Sequence, residues 1–196
     1  MAKPMDMRKL DQVKRATMEL MVESGYKSIT VSRIANRANV SPGYLYSHYA
    51  SINDLIEELL DTTYESFVDY MKTVVVELTS IREFVKHFVQ GMIDFTMTDP
   101  LLVQFVTALM DDHAYFNERI KNDNELGIEE YIVTLLKCGH DNLEIGQHID
   151  ALEFVAIMIR LPLNYLNLRF LYADKYGSIC SKDVSKLSRI IINALQ

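Results

Sequence analysis

The stretch V-S-P-G-Y-L-Y-S-H-Y-A-S, Val40 to Ser51, places three tyrosines and a histidine within six residues behind a Ser-Pro-Gly start. Ser41 followed by Pro42 is the pattern of a helix N-cap with proline at the first helical position, where its missing N–H costs nothing. A short helix is therefore expected from Pro42. At about 100° per residue, Leu45 and Tyr49 share one face, Gly43, Tyr44 and Ser47 lie opposite, and Tyr46 and His48 flank the boundary. Leu45 and Tyr49 look inward. The outer face carries hydroxyls, an imidazole and a bare glycine, a surface able to approach a polar partner closely.

Upstream, Leu10, Val13, Ala16, Thr17, Leu20 and Met21 trace one stripe and Gly25 supplies a stop, predicting a first helix from about Arg8 to Ser24. Thr30 caps a second helix whose inner face is Val31, Ile34, Ala35 and Ala38. Asn39 sits where a left-handed residue ends it, and Ser41 caps the next helix almost at once. Two short helices joined by a three-residue turn make a helix-turn-helix. An ordinary αα-corner is the plainer alternative, but charge favours DNA. Residues 1 to 56 hold eight Lys/Arg against five Asp/Glu, leaving twelve against twenty-two for the rest of a chain whose net charge is −7. A mildly basic head on an acidic body suits a head that meets phosphate.

The 196 residues are 49% hydrophobic, with seven glycines, four prolines and apolar residues recurring at three and four spacing. This predicts an all-α chain of about nine helices. Cys138 and Cys180 have neither metal spacing nor the density of a secreted scaffold. The start M-A-K-P-M-D-M-R-K-L lacks the apolar run of a signal peptide, so a cytoplasmic protein is expected. The apolar segment from Phe154 is interrupted by Arg160, Pro162 and Asn164 and is expected to fall short of a membrane span. No G-x-S-x-G, phosphate-binding glycine loop or H-x-x-x-H pair is present, which points away from an enzyme. Cys138, His140 and His148 read better as scattered loop polar residues than as metal ligands, and no cofactor is expected.

From Arg8 to about Leu60 the chain resembles the DNA-binding head of the TetR family of bacterial transcriptional regulators. The resemblance rests on Gly25-Tyr26, T-V-S-R-I-A from Thr30, N-V-S-P-G-Y-L-Y-S-H-Y from Asn39 and S-I-N-D-L from Ser51. It implies a homodimer whose paired heads read a near-palindromic double-stranded operator, with a divergent helical body that senses a small molecule. The expected organisation is a DNA-binding domain over 1–50 and an effector-binding and dimerisation domain over 51–196.

The expected DNA-facing residues are Ser32, Arg33, Ser41, Gly43, Tyr44, Tyr46, Ser47 and His48. Gly43 lets backbone approach the duplex, and Tyr44 beside it is the expected base reader. Tyr46 and His48 match family residues that resemble phosphate clamps. Packing of Tyr44 on its neighbours, and a His48 bonded to its own helix, are the plainer readings of those two side chains. Ser32 and Arg33 follow the Thr30 cap, while Arg37 is expected to be solvated. Pro42 and Ile52 stand where the family commonly has lysine, so a shallower salt dependence than that of a lysine-rich relative is expected, with Arg8, Lys9, Lys14 and Arg15 compensating in part.

In the body, Ser51 with Asp54 opens a long fourth helix, and Ser80 with Glu83 is expected to open the fifth likewise. Phe84, Phe88, Met92 and Phe95 are expected to form the fifth helix's stripe. Asp99-Pro100 starts a sixth helix, a seventh ends near Cys138, and the stretch from Asp141 is a loop. An eighth spans about Asp150 to Tyr172 with a kink at Pro162. The ninth runs from Ser181 to Leu195, and its face of Val184, Leu187, Ile191 and Leu195 is the expected dimer interface, since the family's last two helices resemble a four-helix bundle between subunits. Phe67, Met71, Phe88, Met92, Phe105, Met110, Tyr131 and Tyr165 are candidates to line a pocket for a hydrophobic effector, or plain core. Arg160 and Asp94 are either polar anchors for it or surface charges at helix edges. The expected function is a dimeric repressor released by a small hydrophobic effector. The alternatives are an activator or protein-binding co-regulator of the same fold, and a helical carrier or enzyme that does not bind DNA.

Overall fold

In the computed structural model, which describes residues 7–75, 80–112 and 128–196, the elements are helical and join two layers of packing end to end. The start M-A-K-P-M-D, read above for the lack of a leader, lies outside the described residues. The head consists of α1 (Met7–Ser24), α2 (Val31–Arg37) and α3 (Pro42–Tyr46). The body follows with α4 (Ile52–Val75), α5 (Ile81–Thr98), α6 (Pro100–Asp112), α7 (Ile128–Asp141), α8 (Ala151–Leu171) and α9 (Lys182–Ala194). A single helical turn, Ala173–Tyr176, lies between α8 and α9.

Local chemistry sets the head. The expected α1 stripe is the buried one, from Leu10 to Met21. Gly25 takes φ 72°, and its N–H reaches back to the Met21 carbonyl at 2.9 Å, ending the helix. Thr30 accepts from the Arg33 N–H and Ser41 from the Tyr44 N–H. Between them Asn39, at φ 52°, donates to the Asn36 carbonyl, and Val40 donates to that of Ala35. These two bonds form the Schellman arrangement, with asparagine supplying the left-handed residue. Ile34, Ala35, Ala38, Leu45 and Tyr49 close the underside against α1.

Ser51 and Asp54 exchange backbone and side-chain hydrogen bonds at 2.7 to 3.2 Å and start α4, whose 24 residues extend about 36 Å. α4 contributes Leu55, Ile56 and Leu60 near the head and Phe67, Val68 and Met71 deep in the body. The head also rests on the body through α1 against α6. The Ser80 cap differs from expectation. Glu83 does not complete it; Glu144, from the loop after α7, accepts from Ser80 Oγ and from the Ile81 N–H, both at 2.7 Å. The stripe of α5 shifts accordingly: Phe84 and Phe88 are buried, but Ile93 and Thr96 turn inward while Met92 is half-buried and Phe95 is exposed.

Pro162 cannot donate to the Met158 carbonyl and would clash with it in a regular helix. α8 resolves this by widening over Ala156–Arg160 into a π turn, where the Leu161 N–H reaches the Ala156 carbonyl. Contrary to expectation, Ala151–Leu171 is long and apolar enough to cross a membrane by length and composition, with mean hydropathy 1.3. Instead it packs on α5, α6 and α9. A polar latch locks its far end. Arg169 Nη1 meets Asp183 Oδ1 at 2.7 Å, Tyr165 donates to the same oxygen at 3.0 Å, and Arg169 Nη2 donates to the carbonyls of Tyr176, Gly177 and Ser178.

The face of α9 expected to meet a second subunit is used within the chain. Leu187 and Ile191 are 0% exposed and Leu195 is buried, all packed in the core where α9 crosses α5, and Val184 is half-buried beside them. An amphipathic pattern shows that a face is covered, not by what. Large apolar residues left exposed on these two helices include Leu152, Leu168 and Leu171 of α8, Tyr172 at its end, and Ile190 on α9.

Candidate nucleic-acid interface and effector cavity

The cap at Ser41 and the Schellman turn at Asn39 fix α3 so that Ser41, Gly43, Tyr46, Ser47 and His48 are exposed together on one surface. Tyr46 is the most open of its large side chains, at 64%. A Cβ added to Gly43 would meet only Ser41 Oγ, at 3.9 Å. The fold therefore leaves room for a side chain there, and the chain itself does not demand glycine.

Tyr44 is half-buried and packs against the core, its ring centroid 4.5 Å from that of His48. His48 Nδ1 lies 3.0 Å from the Tyr44 carbonyl oxygen and 2.9 Å from Ser47 Oγ. The plainer readings of these two side chains are thus the ones their contacts show.

On α2, Ser32 is exposed, but Arg33 is turned back, donating to the Ser28 carbonyl at 2.7 Å and to Ser24 Oγ at 3.0 Å. Arg37 is not simply solvated as expected. Its guanidinium bonds Glu23 at 2.7 and 2.8 Å and Glu19 at 3.2 Å, and these partners raise its pKa further above the usual arginine range. Arg37 in turn holds the Glu23 carboxyl below its ordinary value. Two of the cations expected to compensate for missing lysines are also engaged: Lys14 pairs with Glu58 at 2.7 Å, and Arg15 with Asp99 at 3.3 Å. Arg15 also approaches Glu19 at 3.9 Å, so alternating charges run from the α5–α6 corner across α1 to α2. Apart from the Arg15–Glu19 pair, which is a local i,i+4 contact, these partners lie 14 to 84 positions apart, beyond any local pattern.

In the body, Phe67, Met71 and Phe88 do come together, joined by Phe84 and Ile132 and by Phe154, Val155, Met158 and Ile159 along the π turn. Phe84 and Phe88 stack at 5.6 Å, with Phe67 edge-on to Phe88 at 6.4 Å. The cavity they enclose is about 20 Å³, room for about one water. Five of the other candidates do not line it. Phe105 and Met110 are core of α6, and Met92 and Tyr131 are half-buried elsewhere. Tyr165 belongs to the Asp183 latch. Arg160 reaches the Met110 carbonyl at 3.4 Å, tying α8 to α6. Asp94 is an exposed charge at a helix edge that accepts from Gln90 at 2.7 Å. The lining residues missed by sequence reasoning are Phe84, Ile132, Phe154 and Val155, together with Met158 and Ile159 of the π turn, whose position depends on how α8 accommodates Pro162.

One turn before Phe67, the Tyr64 hydroxyl is buried without a hydrogen-bond partner among the described residues. Among these residues no group of three or more His, Cys, Asp or Glu could hold a metal ion.

The family model described as "Bacterial regulatory proteins, tetR family" matches residues 15–59, the part of the chain that builds this surface. No curated protein sequence matches the chain significantly. Solved structures of similar fold include a TetR family transcription regulator from Marinobacter aquaeolei VT8, 17% identical with a TM-score of 0.70, covering 97% of this chain and 96% of that one. The fatty acid degradation regulator FadR from Bacillus halodurans is 21% identical with a TM-score of 0.71, covering 100% and 98%. FadR from Bacillus subtilis, solved in complex with stearoyl-CoA, is 18% identical with a TM-score of 0.71, covering 95% and 99%. Residues 15–59 therefore match the tetR family's model, and over its whole length the chain has the fold of the solved TetR-family transcription regulators.

Proposed function

We propose that the protein is a cytoplasmic, homodimeric repressor that binds a near-palindromic operator and is released by an apolar effector taken up in the body. The observation that carries the reading is the exposed α3 surface, where no close neighbour among the described residues requires Gly43 to be glycine and Tyr46 is open to solvent. In this reading Gly43 lets the backbone approach DNA, Tyr44 reads a base, and Ser41, Ser47, Tyr46 and His48 hold phosphates. Ser32 contributes a hydroxyl from α2, and Arg33 must leave Ser24 and Ser28 before it can contribute.

The second subunit would lie against α8. Only 28% of its apolar window is buried within the chain, and Leu168, Leu171 and Tyr172 recur at helical spacing on the open side. The effector would open the cavity beside the π turn. A room of about 20 Å³ admits none as it stands, so the ligand must favour an expanded state. Its lining is apolar, and a long apolar chain of the kind carried by the stearoyl-CoA bound to the B. subtilis FadR suits it. α4 runs from the head core to the cavity wall, so expansion would move the heads out of register with successive major grooves.

Titration of a labelled duplex from the region upstream of its own gene tests the reading. Tyr46→Phe should weaken binding to all sequences about equally, whereas Tyr44→Ala should also relax base preference. Leu168→Glu with Leu171→Glu should give monomers with reduced affinity for the whole operator. Specific binding that no acyl compound releases would remove the effector. Binding to no duplex would leave a helical carrier.

A further inference from the structure

We propose that His48 meets the phosphate backbone only as the imidazolium ion, so that operator binding takes up one proton at each head. This rests on the DNA-binding reading above and adds a protonation step to it.

The proton on the neutral ring can be located from its neighbours. Nδ1 lies 3.0 Å from the Tyr44 carbonyl oxygen. A carbonyl oxygen accepts and never donates, so this contact requires Nδ1–H. The Ser47 hydroxyl donates to the same carbonyl at 2.7 Å, which leaves its oxygen lone pairs for the approach of Nδ1 at 2.9 Å. An unprotonated Nδ1 would instead face the carbonyl oxygen lone pair to lone pair. With the proton on Nδ1, Nε2 of the neutral ring is an acceptor. No group among the described residues bonds it.

Phosphate oxygens are acceptors too, so Nε2 of the neutral ring repels the ligand it is placed to hold. A proton added to Nε2 makes the same nitrogen a charge-assisted donor while Nδ1–H keeps its bonds to Tyr44 and Ser47. Turning the ring over to present a neutral N–H would break those bonds, because it carries Nδ1 away from the Tyr44 carbonyl and Ser47 Oγ. The charged and titratable groups on the neighbouring elements are engaged elsewhere: Arg33 with Ser24 and Ser28, Arg37 with Glu19 and Glu23, Asp54 with Ser51, and Glu58 with Lys14. On α3 itself the titratable neighbours are Tyr44 and Tyr46. No carboxylate among the described residues forms an ion pair with the ring to supply or replace the charge.

Because the bound form holds more protons, affinity rises as pH falls. The experiment is fluorescence anisotropy of the full-length protein with the upstream duplex between pH 6 and 8.5 at fixed ionic strength. Wild type should lose affinity with rising pH, approaching a slope of about tenfold per pH unit per head. His48→Gln should bind more weakly at low pH and lack the slope. His48→Lys, with a permanent cation, should bind at high pH without it. A flat wild-type profile would overturn the inference and leave the DNA-binding reading intact. A slope retained in His48→Gln would move the proton to another histidine and also overturn it. Nitrogen-15 spectra of the free protein at high pH should show the proton on Nδ1, and a proton on Nε2 would refute the argument. Failure to bind any duplex at any pH would defeat the DNA-binding reading itself.

Discussion

Gly91→Ala puts a methyl group in the middle of α5 where the Tyr70 side chain of α4 already lies. An added Cβ would overlap the Tyr70 Oη and Cζ and sit 2.7 Å from Cε2. The ring has to leave. It then loses the hydrogen bond from its hydroxyl to the His87 carbonyl at 2.9 Å, about 1 kcal/mol net. It also loses its contact with Phe88, centroids 6.0 Å apart, about 0.5–1.5 kcal/mol. Exposing the part of the ring that is covered costs about 1 kcal/mol more. Against these, alanine stabilises a helix interior by about 1 kcal/mol relative to glycine. The balance is a loss of about 1.5–2.5 kcal/mol in the wild-type background. With Tyr70→Ala already present there is no ring to displace, and the same substitution should stabilise by about 1 kcal/mol. Urea unfolding followed by far-ultraviolet circular dichroism, at one protein concentration, completes the cycle; the chain has no tryptophan to report instead. Stabilisation by Gly91→Ala in the wild-type background, or one sign in both backgrounds, would refute the claim that Tyr70 keeps this position glycine.

Replacing Glu19 and Glu23 together by glutamine removes both carboxylate partners of Arg37. If the freed guanidinium gains one phosphate contact, the slope of log affinity against log salt should steepen by about 0.9 per head. An unchanged slope would show that Arg37 is out of reach of DNA whatever its partners. Arg169→Leu breaks the buried pair with Asp183, whose side chains are 14% and 5% exposed, and should cost about 3–5 kcal/mol in urea unfolding; a loss below 1 kcal/mol would mean the latch is dispensable. Burial, with Asp94 nearby, pushes the Tyr70 phenol from 10.0 up to about 12. The unfolded chain ionises first, so stability should be intact below pH 10 and fall between about pH 10 and 12. Tyr70→Phe should flatten that part of the profile, and an identical alkaline decline in the variant would assign it to other groups.

The sequence by itself determined what depends on residues within a few positions of each other. The stripe of α1, the caps at Thr30, Ser41 and Ser51, the left-handed Asn39 and the inward turn of Leu45 and Tyr49 were all legible, because capping bonds and helical periodicity act over three or four residues. The exposure of Gly43, Tyr46, Ser47 and His48 on α3 was legible for the same reason. Only the tertiary structure decided which apolar face meets which. The stripe through Leu187, Ile191 and Leu195 could equally have faced a second chain, and only the crossing of α5 assigns it to the core. Glu144 took the place of Glu83 at the Ser80 cap, and Glu19 and Glu23 took up Arg37, through approaches that no local pattern encodes. The cavity is the extreme case. Its lining comes from four helices and a π turn, and its size is the small space left between packed side chains, a difference of volumes that composition does not fix.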